Sequence, residues 1–162
     1  MEARDESVDV TAVLQAIGAS GGSAIGRDQA VVTIADPPVL PPMKGSERSL
    51  IRMLLALMHA PTPDDTDGAV EVSAQADDES ITIIVSHRRA SIAAGDLPAL
   101  FDPFAPIDAS GTLQDDGGRV RLALARALAA TLGGNIVVDS AEDTGTVFTV
   151  TLPAMADVPA VA

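Results

Sequence analysis

Gly133-Gly134-Asn135-Ile136-Val137-Val138-Asp139-Ser140, followed across Glu142-Asp143-Thr144-Gly145 by Thr146-Val147-Phe148-Thr149-Val150-Thr151-Leu152, decides the fold of this chain. Both runs are rich in β-branched residues, which suit a pleated, half-buried surface, and the polar connection ending in glycine is turn chemistry. They predict a closing hairpin over 135–140 and 146–152. Val120 to Leu132 keeps helical spacing up to the glycine pair, where a left-handed residue ends a helix at little cost. Neither Gly133-Gly134 nor Gly21-Gly22 stands in a strand, glycine loop and helix phosphate signature, so both are read as turns.

Working outward, Val70 to Ala76 and Ile81 to Val85 read as a second hairpin around Asp77-Asp78-Glu79-Ser80. Ser46 is placed to cap an apolar helix through Leu50, Ile51, Leu54, Leu55, Leu57 and Met58, which Pro61 and Pro63 end. Asp9 precedes a shorter apolar stripe, Val10, Val13, Leu14 and Ile17, that Gly18 is expected to close. Ala30 to Ile34 reads as a strand, Pro37, Pro38, Pro41 and Pro42 as a stiff connector, and Asp96 to Phe101 as a short helix. Strands crossed by helices on one face predict an α/β (α+β) two-layer sandwich with a mixed, mainly antiparallel sheet. The expected organisation is a leader over 1–6, one domain over 7–153 and a flexible tail over 154–162.

The chain has 162 residues, 47% of them hydrophobic, yet only three phenylalanines and no Trp, Tyr or Cys. Its core must therefore be aliphatic, and disulfides and thiolate metal sites are excluded. No stretch reaches the roughly 20 apolar residues of a membrane span, and the polar start Met1-Glu2-Ala3-Arg4-Asp5-Glu6 is no signal peptide, so a cytoplasmic domain is expected. A formal charge of −13 argues against nucleic acid and against anionic membrane as partners. Asp64, Asp65 and Asp67, like Asp77, Asp78 and Glu79, lack the spaced loop of a calcium cage and are read as solvated turns.

Leu100-Phe101-Asp102-Pro103-Phe104, the Gly133 to Ser140 run and Gly145 to Pro153, in this order, closely resemble the catalytic ATP-binding domain of bacterial sensor histidine kinases. The resemblance covers about Ser7 to Pro153 and implies the Bergerat-type sandwich shared with gyrase. It also implies three nucleotide-binding boxes, and here the sequence departs from the family. Where a pattern like N-L-L-x-N-A would hold Mg²⁺, the chain has Leu55-Ala56-Leu57-Met58-His59-Ala60, with Leu55 and His59 at the asparagine places; neutral imidazole is a poor ligand for Mg²⁺. Where D-x-G-x-G-I would accept a hydrogen bond from the adenine amino group, the chain has His87-Arg88-Arg89-Ala90-Ser91-Ile92, with His87 for the acid and Arg89 and Ser91 for glycines. Where G-x-G-L-G-L would wrap phosphates with backbone amides at a helix start, it has Gly117-Gly118-Arg119-Val120-Arg121-Leu122. The packing positions Phe101, Phe104, Leu122, Ala123 and Leu124 are kept.

Arg88, Arg89, Arg119 and Arg121 are four of the ten basic residues, and the family geometry would bring them to one rim. They are read as filling the vacated pocket and pairing with acids such as Asp108, Asp115 and Asp116, as an interface for an acidic partner, or as an unorthodox phosphate site, since guanidinium grips phosphate without glycine amides. The two histidines, His59 and His87, are read as structural, at a helix end and in a packed loop. The ATPase-like region begins almost at Met1, without the paired helices that carry a kinase's phosphorylated histidine, and so is expected to be either a piece of a longer protein, which the abrupt start slightly favours, or a free-standing degenerate domain.

These readings converge on a degenerate, pseudo-ATPase domain of a histidine-kinase-like signalling protein, with no catalytic residue, metal or cofactor. It would act by contact with a response-regulator receiver or a kinase helical domain. The alternatives are a divergent but active ATP/Mg-binding kinase domain and a degenerate phosphotransferase that supports a helical bundle.

Overall fold

The computed structural model describes residues 6–20, 32–34, 40–58, 70–87, 118–141 and 145–154. The elements in chain order are β1 (Glu6–Val8), α1 (Val10–Ser20), β2 (Val32–Ile34), β3 (Met43–Gly45), α2 (Glu47–Met58), β4 (Val70–Ala76), β5 (Ser80–His87), α3 (Gly118–Thr131), β6 (Asn135–Ala141) and β7 (Gly145–Pro153). Five strands form one sheet in the order β2-β4-β5-β7-β6. The β2–β4 pair is parallel and the other three are antiparallel, so the sheet is mixed and mainly antiparallel as expected.

Strand alternation supplies the core. Ile81, Ile83 and Val85 of β5 and Phe148, Val150 and Leu152 of β7 are buried, while the residues between them are partly or fully exposed. Against this face α2 packs Leu50, Met53, Leu54 and Leu57, and α3 packs Leu122, Ala125 and Ala129 at helical spacing, with Leu132 buried just past its end. α1 adds Val10, Val13, Leu14 and Ile17. Leu124 departs from the sequence reading: it is 47% exposed, because two residues along a helix turn it about 200° from the buried Leu122. Among the described residues no helix is long and apolar enough to cross a membrane.

Local chemistry sets the boundaries. Asp9 Oδ1 accepts from the Ala12 N–H at 3.1 Å, and Ser46 Oγ from the Ser49 N–H at 3.3 Å, so both expected N-caps are formed. Gly18 does not close α1, which runs on to Ser20; an internal glycine lowers helix propensity without breaking the hydrogen-bond ladder. α3 ends in a Schellman turn: Gly134 N–H donates to Ala129 O at 2.8 Å and Gly133 N–H to Ala130 O at 3.0 Å, with Gly133 at φ 81°. β1 and β3, which the sequence did not reveal, form a separate antiparallel ribbon, and Met43 bridges onward to Ala154. The expected short helix at 96–101 lies outside the described residues, apart from which every other expected helix and hairpin is present.

Two outcomes follow from these contacts. A Cβ on Gly134 would meet the Thr151 carbonyl oxygen, with Leu152 Cδ2 at 2.7 Å, so Gly134→Ala should lower unfolding free energy by about 1–3 kcal/mol in urea titrations. Asp77 Oδ1 accepts from the N–H groups of Glu79 and Ser80, both at 2.8 Å, and these bonds hold its carboxyl below the ordinary 3.8. The unfolded chain then binds the proton more readily, so this contribution is complete above pH 3.8 and is lost as pH falls through the folded value. Asp77→Ala should melt at a lower temperature than the parent near neutrality, and the gap should narrow on acidification below that range.

Candidate functional site

The last inward position of β5 is His87, which continues the buried series Ile81, Ile83 and Val85 and is only 5% exposed. Its Nε2 lies 2.8 Å from the carbonyl oxygen of Leu57, in the last turn of α2. A carbonyl only accepts, so Nε2 carries the proton and donates. The carbonyls of a last helical turn have no intrahelical partner, and the residue four places beyond Leu57 is Pro61, which has no N–H to give. The imidazole supplies that donor. Its ring stands edge-on to Phe148, with centroids 5.9 Å apart and planes at 83°, a favoured aromatic geometry.

The strand register extends this site sideways. His87 is paired with Thr146 on β7, and Thr146 in turn with Ser140 on β6. Thr146 is fully buried, with its Oγ1 3.0 Å from Ser140 Oγ. A row of imidazole and hydroxyls thus crosses three strands at one end of the core. Thr146 and Ser140 were absent from the sequence-based site. The available signal was a threonine in phase with Phe148, Val150 and Leu152, which strand alternation must turn inward.

The remaining expected site residues fall in three groups. Leu55 is half-buried and lines a groove between α1 and α2 with Val13, Ile17 and Ile51. Arg119 and Arg121 lie in the first turns of α3, so the backbone at 118–121 is helical. His59, Arg88, Arg89, Ser91 and Gly117 lie outside the described residues, as do Phe101, Phe104, Asp108, Asp115 and Asp116.

Among the described residues, His87 and Thr146 are the polar or charged side chains that are buried, so no carboxylate lies in this interior. Nor do His, Asp and Glu gather there in a group able to hold a metal ion. The end of β5 offers an imidazole and hydroxyl groups, and the proton on Nε2 is committed to the protein's own backbone. Such an arrangement fastens the sheet to α2. In this state Nε2 is a donor, so any hydrogen bond accepted by the ring would fall on Nδ1.

Comparison with known proteins agrees with this architecture. The profile of the histidine kinase-, DNA gyrase B- and HSP90-like ATPases matches residues 46–156. A sensor-like histidine kinase of Rhizobium meliloti is 36% identical over 89 residues, 55% of this chain, and the match spans 17% of that protein's length. Among solved structures, the catalytic domain of histidine kinase ThkA in a nucleotide-free form superposes with a TM-score of 0.71 at 14% identity, covering 95% of this chain and 97% of that one. The mycobacterial sensor histidine kinase MprB gives 0.68 at 19% identity, covering 93% and 97%. Full-length ShkA, solved with AMPPNP, gives 0.66 at 21% identity, covering 95% of this chain and 32% of that one. With the profile matching more than half its length and the sandwich topology in place, the chain belongs to the histidine kinase-, DNA gyrase B- and HSP90-like ATPase family.

Proposed function

We propose that this is a histidine-kinase-type ATPase domain of two-component signalling that has given up ATP and works by contact with a receiver or a histidine-bearing helical domain. The observation that carries the proposal is His87. The family resemblance puts a carboxylate at this place to accept from the adenine amino group; the imidazole here instead donates to Leu57 and packs on Phe148. The α2 helix supports the same reading. Leu55 faces the α1 groove, and Ala56, about 100° round the helix, is buried. Leu55 and His59 at the two asparagine places leave no oxygen donor for Mg²⁺ on either side chain. Arg89 and Arg121 at glycine places of the other boxes point the same way.

A second reading, a divergent domain that still binds nucleotide, is favoured by one feature. One glycine of the third box, Gly117, is retained just before the start of α3, and amides at a helix start attract phosphate.

Calorimetry with ATP, ADP and GTP, with and without Mg²⁺, separates the two. We expect no heat of binding and no thermal stabilisation, whereas a ligand at 100 times its Kd adds about 2.7 kcal/mol to stability. Micromolar binding of any of the three would overturn the proposal. With nucleotide excluded, titration of purified receiver domains and helical phosphoacceptor domains should give saturable binding to at least one of them.

Substitution at His87 gives a further check. His87→Ala strands the Leu57 carbonyl and should cost about 1–3 kcal/mol in urea unfolding. His87→Asp sets a buried carboxylate against that same carbonyl and should cost at least as much without conferring ATP binding. Gain of micromolar ATP affinity from that single change would mean that the rest of the pocket is intact.

A further inference from the structure

The groove between α1 and α2 has a volume of about 500 Å³ and is lined by Asp9, Ala12, Val13, Ala16, Ile17, Glu47, Ile51 and Leu55. Its floor is apolar, with Val13 and Ile17 from one helix and Ile51 and Leu55 from the other. Ala12 and Ala16, one turn apart and exposed, keep the α1 wall low. A third helix could therefore settle at the usual 8–10 Å between axes. The mouth at the amino ends of both helices is acidic, with Asp9 and Glu47.

The α2 edge is basic. Arg48 and Arg52 are exposed and one turn apart, three residues before Ile51 and Leu55 respectively, so each neighbours an apolar wall residue. On a chain of net charge −13 this pair is a local exception. Screening over about 8 Å at physiological salt lets a docked group feel the two arginines more than the distant acidic surplus.

We propose that this groove docks an amphipathic helix of a partner protein. The partner helix buries an apolar stripe, carries carboxylates along the edge that meets Arg48 and Arg52, and turns a basic residue toward Asp9 and Glu47. Anchors at i, i+3 or i+4, and i+7 match the spacing of the floor residues. The proposal does not rest on the His87 site, and Leu55, an asparagine place in the family resemblance, enters it only as an apolar wall residue.

The probe is a fluorescein-labelled helical peptide with leucines at i, i+3, i+4 and i+7 and two glutamates one turn apart on one flank. Its anisotropy is followed against the full chain, beside a control peptide with lysines for the glutamates. The acidic peptide should bind saturably and lose about tenfold in affinity to the Arg48→Glu, Arg52→Glu double variant, while the lysine peptide gains on it. Both arginines are exposed, and circular dichroism checks that the variant is folded. Ala12→Arg, on the opposite wall, should weaken both peptides. Equal affinity of the acidic peptide for parent and double variant, or no saturable binding to the parent, would overturn the proposal. So would binding of anionic phospholipid vesicles that the double variant loses while the peptides stay unbound.

Discussion

β5 is hydrogen-bonded along its length on both sides, to β4 and to β7, and that double pairing fixes the face of every residue it carries. A slip of one residue would turn Ile81, Ile83 and Val85 to the open side and bring Thr82, Ile84 and Ser86 inside. The core tolerates no such slip, because its described part contains one phenylalanine, Phe148, and depends on close contact among aliphatic side chains from α1, α2 and α3. His87 inherits its place from this constraint. Being in phase with three buried aliphatics, it must enter the interior, where an imidazole needs a polar partner. The last turn of α2 provides one.

One bond therefore meets two requirements. It satisfies a ring nitrogen that would otherwise be desolvated, and it satisfies a carbonyl at a helix end that proline prevents from closing in the usual way. The family resemblance would reserve the polarity of this strand end for a ligand. Here the polarity is used within the fold, and Thr146 with Ser140 continues the pattern across the neighbouring strands. The sandwich rests on alternation and helix packing, and neither requires an acid at position 87.

The features carried by periodicity or by a cap were legible in the sequence. The two hairpins, the N-caps Asp9 and Ser46, and the end of α3 at Gly133-Gly134 all depend on residues close along the chain. β1 and β3 were not legible: three residues are too few to display alternation, and their pairing joins Glu6 to Gly45, which only tertiary structure brings together. Leu124 looked like a packing residue because hydrophobicity alone does not state which way a helix faces. At the site, His87 was identified as displaced chemistry but was expected in a loop. Its bond to Leu57, 30 residues away, has no local signature. Thr146 and Ser140 were passed over because a hydroxyl in a strand of threonines attracts no notice until the register is known.

The parallel pairing of β2 with β4 bears on what counts as the folding unit. The profile match begins at residue 46, yet β2 covers one edge of the sheet, and α1 contributes four aliphatic side chains to the common core. Cut back to the matched segment, the domain would leave β4 with an unpaired row of backbone groups and would open the helical layer to water, an invitation to strand-on-strand association. Recognisability and structural completeness thus have different boundaries in this chain: the segment that identifies the family is shorter than the segment that builds the sheet and its core.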